Sequence, residues 1–380
     1  MFKLNKSLFQ LGSCVVLSSV LVNNIFADTQ EKKIRQDSMP IKIHLRDGTD
    51  KYVQVIKMKL GNASKKQLSS NIALMLKQPY RRLMQEDSEP THVDIGMNLL
   101  PVLDQGVWGT CATFATTAAI DALFALAGEE TISQLCNLEF GRTLNNPDED
   151  GGWSGSFGKN ILQQISDYGY INKAYQHTAP QGCGGLNHYP AYDPENNGSP
   201  MPAEDFATNS IKTFKSDNWH PLLAYNGEFS PIDPKEGERL LTEVKHAILK
   251  GNRVVFGTLL DPFSGDAGAV GSFDDVQNDA WVLTPQIQRD ITAGFAGGHE
   301  MVIEGYDDNA CAEYVDIQDG AKKLQKQCGI LHLRNSWSSY AGDKGDYYVT
   351  YDYFKTMTLE AYELMKTTSS LDQRSGLQKG

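Results

Sequence analysis

The sequence predicts an α+β chain, with helices early and antiparallel strands late. Three observations support this. Apolar residues recur at helical spacing at Phe114, Ala118, Ala122 and Leu126, at Ile161, Leu162 and Ile165, and at Leu240, Leu241, Val244 and Ile248. Alternating apolar and polar residues dominate 297–306 and 330–337, and 347–353 forms a third strand-like run. Helical segments followed by strand segments, with no internal repeat, fit an α+β architecture in two lobes. The 380 residues, 40% of them hydrophobic, allow one large or two moderate domains with ample core. A formal net charge of −12 argues against nucleic acid as a partner.

Residues 1–27 have the form of a secretory signal peptide. Lys3 and Lys6 precede a mostly apolar run over 8–22, and Ala27 closes a cleavage site before Asp28. The run is short for a membrane span and polar sequence follows, so no membrane span is expected. Leu11-Gly12-Ser13-Cys14 faintly resembles a lipoprotein cleavage box, but the apolar run continues past Cys14. Loss of the signal leaves Cys111, Cys136, Cys183, Cys311 and Cys328. An odd number in an exported chain suggests two disulfides and one free thiol, without saying which.

Residues 28–92 are rich in Lys, Arg, Gln and Ser. Ile41, Ile43 and Leu45 alternate with polar residues, Asp47-Gly48 signals a turn, and Tyr52, Val53, Val55 and Ile56 resume, which predicts a β-hairpin. Leu68, Ile72, Met75 and Leu76 form a helical stripe that stops before Pro79. The unit is either an accessory subdomain or a removable pro-segment with its cleavage region in the polar stretch 80–90.

Gln105-Gly106-Val107-Trp108-Gly109-Thr110-Cys111 leads into the first long helix. A thiol in the first turn lies at the positive end of the helix dipole, which favours the thiolate; a buried structural cysteine is the plainer alternative. A glycine-rich loop follows at 151–155, then a helix ending at Gly169. Residues 172–235 are predicted to be mostly loop, and Val254-Val255-Phe256 starts a buried strand.

Cysteine-based hydrolysis needs a thiolate, an imidazole, a group orienting that imidazole and donors for the oxyanion. Cys111, His299 after Gly298, Asn335 before Trp337, and Gln105 supply these residue types. On these motifs the sequence resembles the papain-like cysteine peptidases, whose pattern is Gln-Gly-x-Cys-Gly-Ser-Cys, then a Gly/Asn-His-Ala strand, then Asn-Ser-Trp-Gly. The counterparts are Gln105 to Cys111, Gly298-His299-Glu300 and Asn335-Ser336-Trp337-Ser338, and the likeness covers about residues 93–360. It implies a two-lobed fold, helical on one side and β-barrel-like on the other, with an active-site cleft between. Cys111 would be the nucleophile, His299 the general acid and base, Asn335 the orienting residue and Gln105 an oxyanion donor. Trp337 would cover the Asn–His contact. Gly152, Gly155, Ser156 and Gly298 would line the substrate cleft. The thiol and imidazole would rest as a thiolate–imidazolium pair. The resemblance further implies a Cys136–Cys183 disulfide and, from the remaining order, Cys311–Cys328.

Several departures accompany it. Trp108 stands where the family has a disulfide cysteine, and no partner cysteine lies near Asp150-Gly151. Ala112 replaces an aromatic residue, and Glu300 follows His299 in place of a small one. Strand parity sends Glu300 to the face opposite His299. The Cys111-to-His299 spacing exceeds the roughly 130–150 residues of the family, with insertions near 184–235 and 307–328. His246 is expected on a helix facing solvent, His332 on a strand, and His177, His188 and His220 on loops.

The expectation is a bacterial secreted or periplasmic cysteine endopeptidase made as a zymogen. It would be a monomer acting on polypeptides, with residues 28–92 as its own inhibitor, a catalytic domain over 93–365 and a flexible tail over 366–380. No cofactor is expected, and no cysteine spacing suits zinc. The alternatives are a catalytically silent binding protein of the same fold and a transpeptidase using the same triad.

Overall fold

The computed structural model describes residues 38–77, 89–273, 276–294, 296–318 and 321–367. The expected signal peptide, most of the polar stretch 80–90 and most of the 366–380 tail lie outside them.

The chain first forms the expected hairpin, β1 (Met39–His44) against β2 (Asp50–Met58), antiparallel with Ile41 opposite Val53. The turn holds because Asp47 Oδ1 accepts both the Thr49 N–H at 2.9 Å and the Thr49 hydroxyl at 2.6 Å, while Gly48 takes φ +85°. Ile41, Ile43, Val53 and Val55 face inward and Tyr52 faces out. Helix α1 (Asn62–Lys77) buries the predicted stripe of Leu68, Ile72 and Met75. These side chains share one apolar core with Leu240, Phe256, Met301 and Trp337 of the later chain.

β3 (His92–Asp94) pairs with the later strand β8, so the expected boundary at 92 falls within a strand. Helix α2 (Cys111–Phe124) follows, then α3 (Gln134–Leu144), capped by the Ser133 hydroxyl accepting the Cys136 N–H at 2.9 Å. Helix α4 (Gly158–Tyr168) ends at Gly169. The region expected to be mostly loop contains α5 (Lys173–Thr178), α6 (Ala203–Asn209) and β4 (Trp219–Leu223). His177 therefore lies on a helix and His220 on a strand. Helix α7 (Pro234–Leu249) has Asp233 as N-cap and Pro234 at its first position, where a missing N–H costs nothing.

The antiparallel sheet centres on β5 (Arg253–Leu260) and β8 (Ala296–Gln318), extended by β9 (Ala321–Arg334), β10 (Asp346–Thr350) and β11 (Thr358–Leu364). β6 (Gly271–Phe273) and β7 (Val276–Trp281) add to it, and β7 runs parallel to β10. Helix α8 (Pro285–Ala293) precedes β8. The predicted strand over 347–353 stops at Thr350, whose hydroxyl caps helix α9 (Tyr351–Met357) by accepting the Tyr353 N–H. The aromatic run there has high strand propensity, but the cap ends the strand.

The α+β class therefore holds, with a helical portion packed through α2 on β5 and β8 of the sheet portion. Disulfides join Cys136 to Cys183 and Cys311 to Cys328, leaving Cys111 as the free cysteine among the described residues. The second bridge spans β8 and β9 where they extend as a long hairpin through the 307–328 insertion. No helix among the described residues is long and apolar enough to cross a membrane.

Candidate active site

Cys111 is the first residue of α2 and is buried. The stretch leading into it is braced by the 184–235 insertion. Gly106 takes φ +62°, and a side chain there would put Cβ 1.7 Å from the Ala191 carbonyl oxygen, so only glycine fits. The Val107 N–H donates to that same oxygen at 2.9 Å. The Tyr189 hydroxyl donates to the Gln105 carbonyl at 2.9 Å and lies 2.9 Å from Thr110 Oγ1. Trp108, the departure from the family disulfide, donates its indole N–H to the Pro190 carbonyl at 2.8 Å and packs edge-on against Trp153 at 4.7 Å. Trp153 in turn stacks on Tyr189 at 5.5 Å. Aromatic packing, with the polar tips of Trp108 and Tyr189 hydrogen-bonded, holds the loop.

His299 lies on β8 and Asn335 follows β9. The two strands pair next to each other, and His299 Nε2 comes within 2.8 Å of Asn335 Oδ1. An amide oxygen only accepts, so this contact fixes the proton on Nε2 and leaves the Nδ1 lone pair free. Nδ1 has no hydrogen-bond partner, and no hydrogen bond joins it to the Cys111 thiol, among the described residues. Trp337 stacks on the His299 ring at 4.5 Å. Asn335 Oδ1 also accepts the Ser336 N–H at 2.7 Å. The Ser336 hydroxyl donates to Gln105 Oε1 at 2.8 Å, which turns the Gln105 amide N–H₂ toward the Trp108 carbonyl at 2.8 Å and the Gln54 carbonyl at 3.4 Å. Ser336 was missed as a positioning residue although it lies inside the Asn-Ser-Trp motif. Tyr189 carried no signal in the sequence.

The N-terminal hairpin covers this ground. β2 adds to the edge of β8, with Ile56 opposite Gly298 and Met58 opposite Ala296. Gly155, at φ +145°, abuts Ile56: a Cβ there would lie 2.7 Å from Ile56 Cγ1. At Gly298 a Cβ would lie 3.2 Å from Met58 Cγ. Gly155 and Gly298 thus lie against β2. Gly152 lies against Leu138 and Ser156, and the Asn160 side-chain amide donates to the Ser156 hydroxyl at 3.5 Å. Lys51 of β2 pairs with Asp104 and donates to the Trp337 carbonyl at 3.1 Å, tying the hairpin to two segments that are themselves joined by a β-bridge.

Enclosure sets the protonation states. Burial, and secondarily the Glu300 carboxylate, pushes the Cys111 thiol up to about 12, against the Glu300 N–H directed at it. Burial pushes the His299 imidazole down to about 4, with the Asn335 hydrogen bond opposing. With residues 38–77 in place, burial thus favours the neutral form of both groups. A helix dipole contributes about 0.3–1 kcal/mol to an anion at its N-terminus. Stripping water from an ion costs several kcal/mol, so burial wins. Glu300 faces away from His299 and lies beside Gly158. No cluster of three potential metal ligands occurs among the described residues.

No family model matches the sequence, and no curated protein does. Among solved structures, the chain is similar to xylellain, a cysteine protease from Xylella fastidiosa, at 17% identity over 78% of this chain and 89% of that one, with a TM-score of 0.47. It is similar to digestive procathepsin L 3 of the Tenebrio molitor larval midgut at 15% identity over 91% and 88%, with a TM-score of 0.41. It is also similar to the proform of the ragweed pollen allergen Amb a 11, a cysteine protease, at 13% identity over 74% and 67%, with a TM-score of 0.40.

Proposed function

We propose that this chain is a papain-like cysteine peptidase precursor. Cys111 is its nucleophile, His299 its acid and base, Asn335 the residue that orients His299, and Gln105 an oxyanion donor together with the Cys111 N–H. The observation that carries this reading is the His299 Nε2 contact to Asn335 Oδ1 at 2.8 Å, which leaves Nδ1 unpartnered, while the next residue, Glu300, directs its N–H at the free Cys111 at a helix start. That is the tautomer a thiol-activating imidazole requires. Once the cleft is open, Nδ1 accepts the thiol proton and the sulfur attacks the peptide carbonyl carbon. The imidazolium returns the proton to the leaving amine as the C–N bond breaks, which leaves a thioester. Water then attacks the thioester with His299 as base, releasing the acid and the thiol.

Residues 38–77 act as the pro-segment. The Gln54 carbonyl points at the Gln105 amide, the place meant for the substrate oxygen, while Ile56 fills the space between Gly155 and Gly298. Release requires cutting between α1 and β3, within residues 78–88, because β3 belongs to the sheet of the enzyme. The two disulfides suit an oxidising compartment, consistent with export.

The test is labelling by a thiol-reactive epoxide peptide together with N-terminal sequencing of the active form. The expected result is one label on Cys111, lost in Cys111→Ala, and a new N-terminus after residue 77. Hydrolysis of unfolded protein that survives Cys111→Ser would remove Cys111 as nucleophile.

A further inference from the structure

Lys51 is a charge in an apolar row. It shares the buried side of β2 with Val53 and Val55, between the exposed Asp50 and Tyr52, and is only 7% exposed itself. A buried ammonium is costly unless acceptors meet it. Three parts of the later chain meet this one. Its Nζ donates to the Asp104 carboxylate and, at 3.1 Å, to the Trp337 carbonyl. It also lies 5.6 Å from the centre of the Tyr192 ring, within range of the attraction between a cation and a ring face. Those three parts are joined to one another without Lys51. Asp104 and Trp337 form a β-bridge. The Gly106 N–H donates to Asp104 Oδ1 at 2.9 Å, and the Tyr192 hydroxyl donates to Asp104 Oδ2. Tyr192 belongs to the 184–235 insertion, which is pinned next door where the Ala191 carbonyl accepts the Val107 N–H at 2.9 Å.

This acceptor cluster adjoins the reacting groups. Asp104 directly precedes Gln105, and the Trp337 ring stacks on His299 at 4.5 Å. Along β2, the Gln54 carbonyl lies against the Gln105 amide, with Ile56 on one side of it and Lys51 on the other. The step from Gln54 to Lys51 is roughly 10 Å of extended chain. A polypeptide lying extended through the cleft therefore passes the cluster within a few residues of the bond to be cut, on the side away from Gly155 and Gly298.

We propose that withdrawal of β2 leaves a preformed cation site, made of the Asp104 carboxylate, the Trp337 carbonyl and the Tyr192 ring, which takes a lysine side chain of the substrate polypeptide where Lys51 now sits. This rests on the peptidase reading and adds a substrate class, one set by the insertion that supplies Tyr192. Lysine suits the site because its ammonium is a compact charge with three donors on a flexible apolar stem. Two of those donors meet oxygen atoms and the charge rests near the ring face. Because the acceptors are held in place by their own contacts, little order has to be gained when the cation enters.

The test uses the processed enzyme and a peptide series with lysine or norleucine, its uncharged counterpart in shape, placed in turn at each of the three residues on either side of the cut. At one position lysine is expected to exceed norleucine by about tenfold in kcat/KM, the scale of a charge-assisted hydrogen bond. Asp104→Asn keeps an oxygen for the Gly106 N–H but removes the charge, and is expected to bring that ratio close to one. Tyr192→Leu, outside the reacting groups, is expected to lower it by about two- to fivefold, the scale of a cation held over a ring. Both peptides are read on the same preparation, so loss of folded protein cancels in the ratio. Cleavage with no lysine preference at any position, or a preference unchanged in either variant, overturns the proposal. Failure of the peptidase reading looks different: no peptide in the series is cut and Cys111 takes no label.

Discussion

The contrast between Cys111 and His299 is one of water more than of neighbours. His299 is paired with Asn335 and Cys111 opens a helix, yet burial drives the thiol up to about 12 and the imidazole down to about 4. A raised thiol pKa favours the protonated form, so thiolate appears only as pH climbs toward that value. Alkylation of the uncleaved chain is therefore expected to be slow at pH 7–8 and to rise about tenfold per pH unit above that, since the thiolate is the reacting form. After release of the hairpin the same reagent should react at least about 100-fold faster at pH 7, because hydration returns and the helix start then favours the anion. Mass-verified intact and clipped samples, titrated with a small neutral alkylating agent, provide the measurement; a rate plateau already reached by pH 7 in the intact chain would contradict the account. At this scale the sequence was highly legible. Cys111, His299, Asn335 and Trp337 lie in short motifs, and the structure brings the last three together. The protonation state was not legible, because it depends on what lies over the site, and that is contributed by residues far away in the chain.

At the scale of elements, the decisive feature is the register of β2 on β8. The hairpin itself could be foreseen from alternation and the Asp47-Gly48 turn. Its docking could not, since nothing local in Val53-Gln54-Val55-Ile56 names Gly298 as the partner of Ile56. The same limit hid the acceptors around Lys51, which meet only because Asp104, Trp337 and Tyr192 come together from distant segments. It also explains why the strand expected over 347–353 ends early: Thr350, the last residue of β10, caps a helix with its hydroxyl. If β2 inhibits by seating Ile56 between two glycines, Ile56→Asp should unseat it. An unpaired carboxylate buried there costs more than the lost apolar contact alone. The expected outcome is a label-accepting Cys111 in the uncut chain, at a rate at least about tenfold above the parent, given about 2 kcal/mol or more from the buried side chain. Tyr52→Asp, on the exposed face of the same strand, should leave the labelling rate as it was. Equal rates in the parent and in Ile56→Asp would mean that β2 does not gate the thiol.

For the molecule as a whole, the N-terminal segment is part of the core as well as the proposed inhibitor. Ile41, Ile43, Val55, Leu68, Ile72 and Met75 belong to the same apolar core as Leu240, Phe256, Met301 and Trp337. Cutting within residues 78–88 therefore removes part of a shared core, and side chains such as Leu240 or Met301 lose neighbours that no other described segment replaces. A fully buried aliphatic side chain contributes about 1.5–3 kcal/mol. Not all of that is lost on cutting, because the hairpin and α1 also pack on each other. A net loss of several kcal/mol, at about 2–4 °C per kcal/mol for a domain of this size, predicts a midpoint on the order of 10 °C lower after removal. Thermal unfolding of the Cys111→Ala chain, which cannot process itself, compared with the same chain clipped by an added protease and freed of its segment, gives the comparison directly. The clipped protein should also regain the higher midpoint when the isolated segment is added back in excess, since a ligand that binds only the folded form stabilises it by mass action. Identical midpoints for the two samples would show that the core of the enzyme closes without the segment, and would leave the hairpin as a plug rather than a partner in folding.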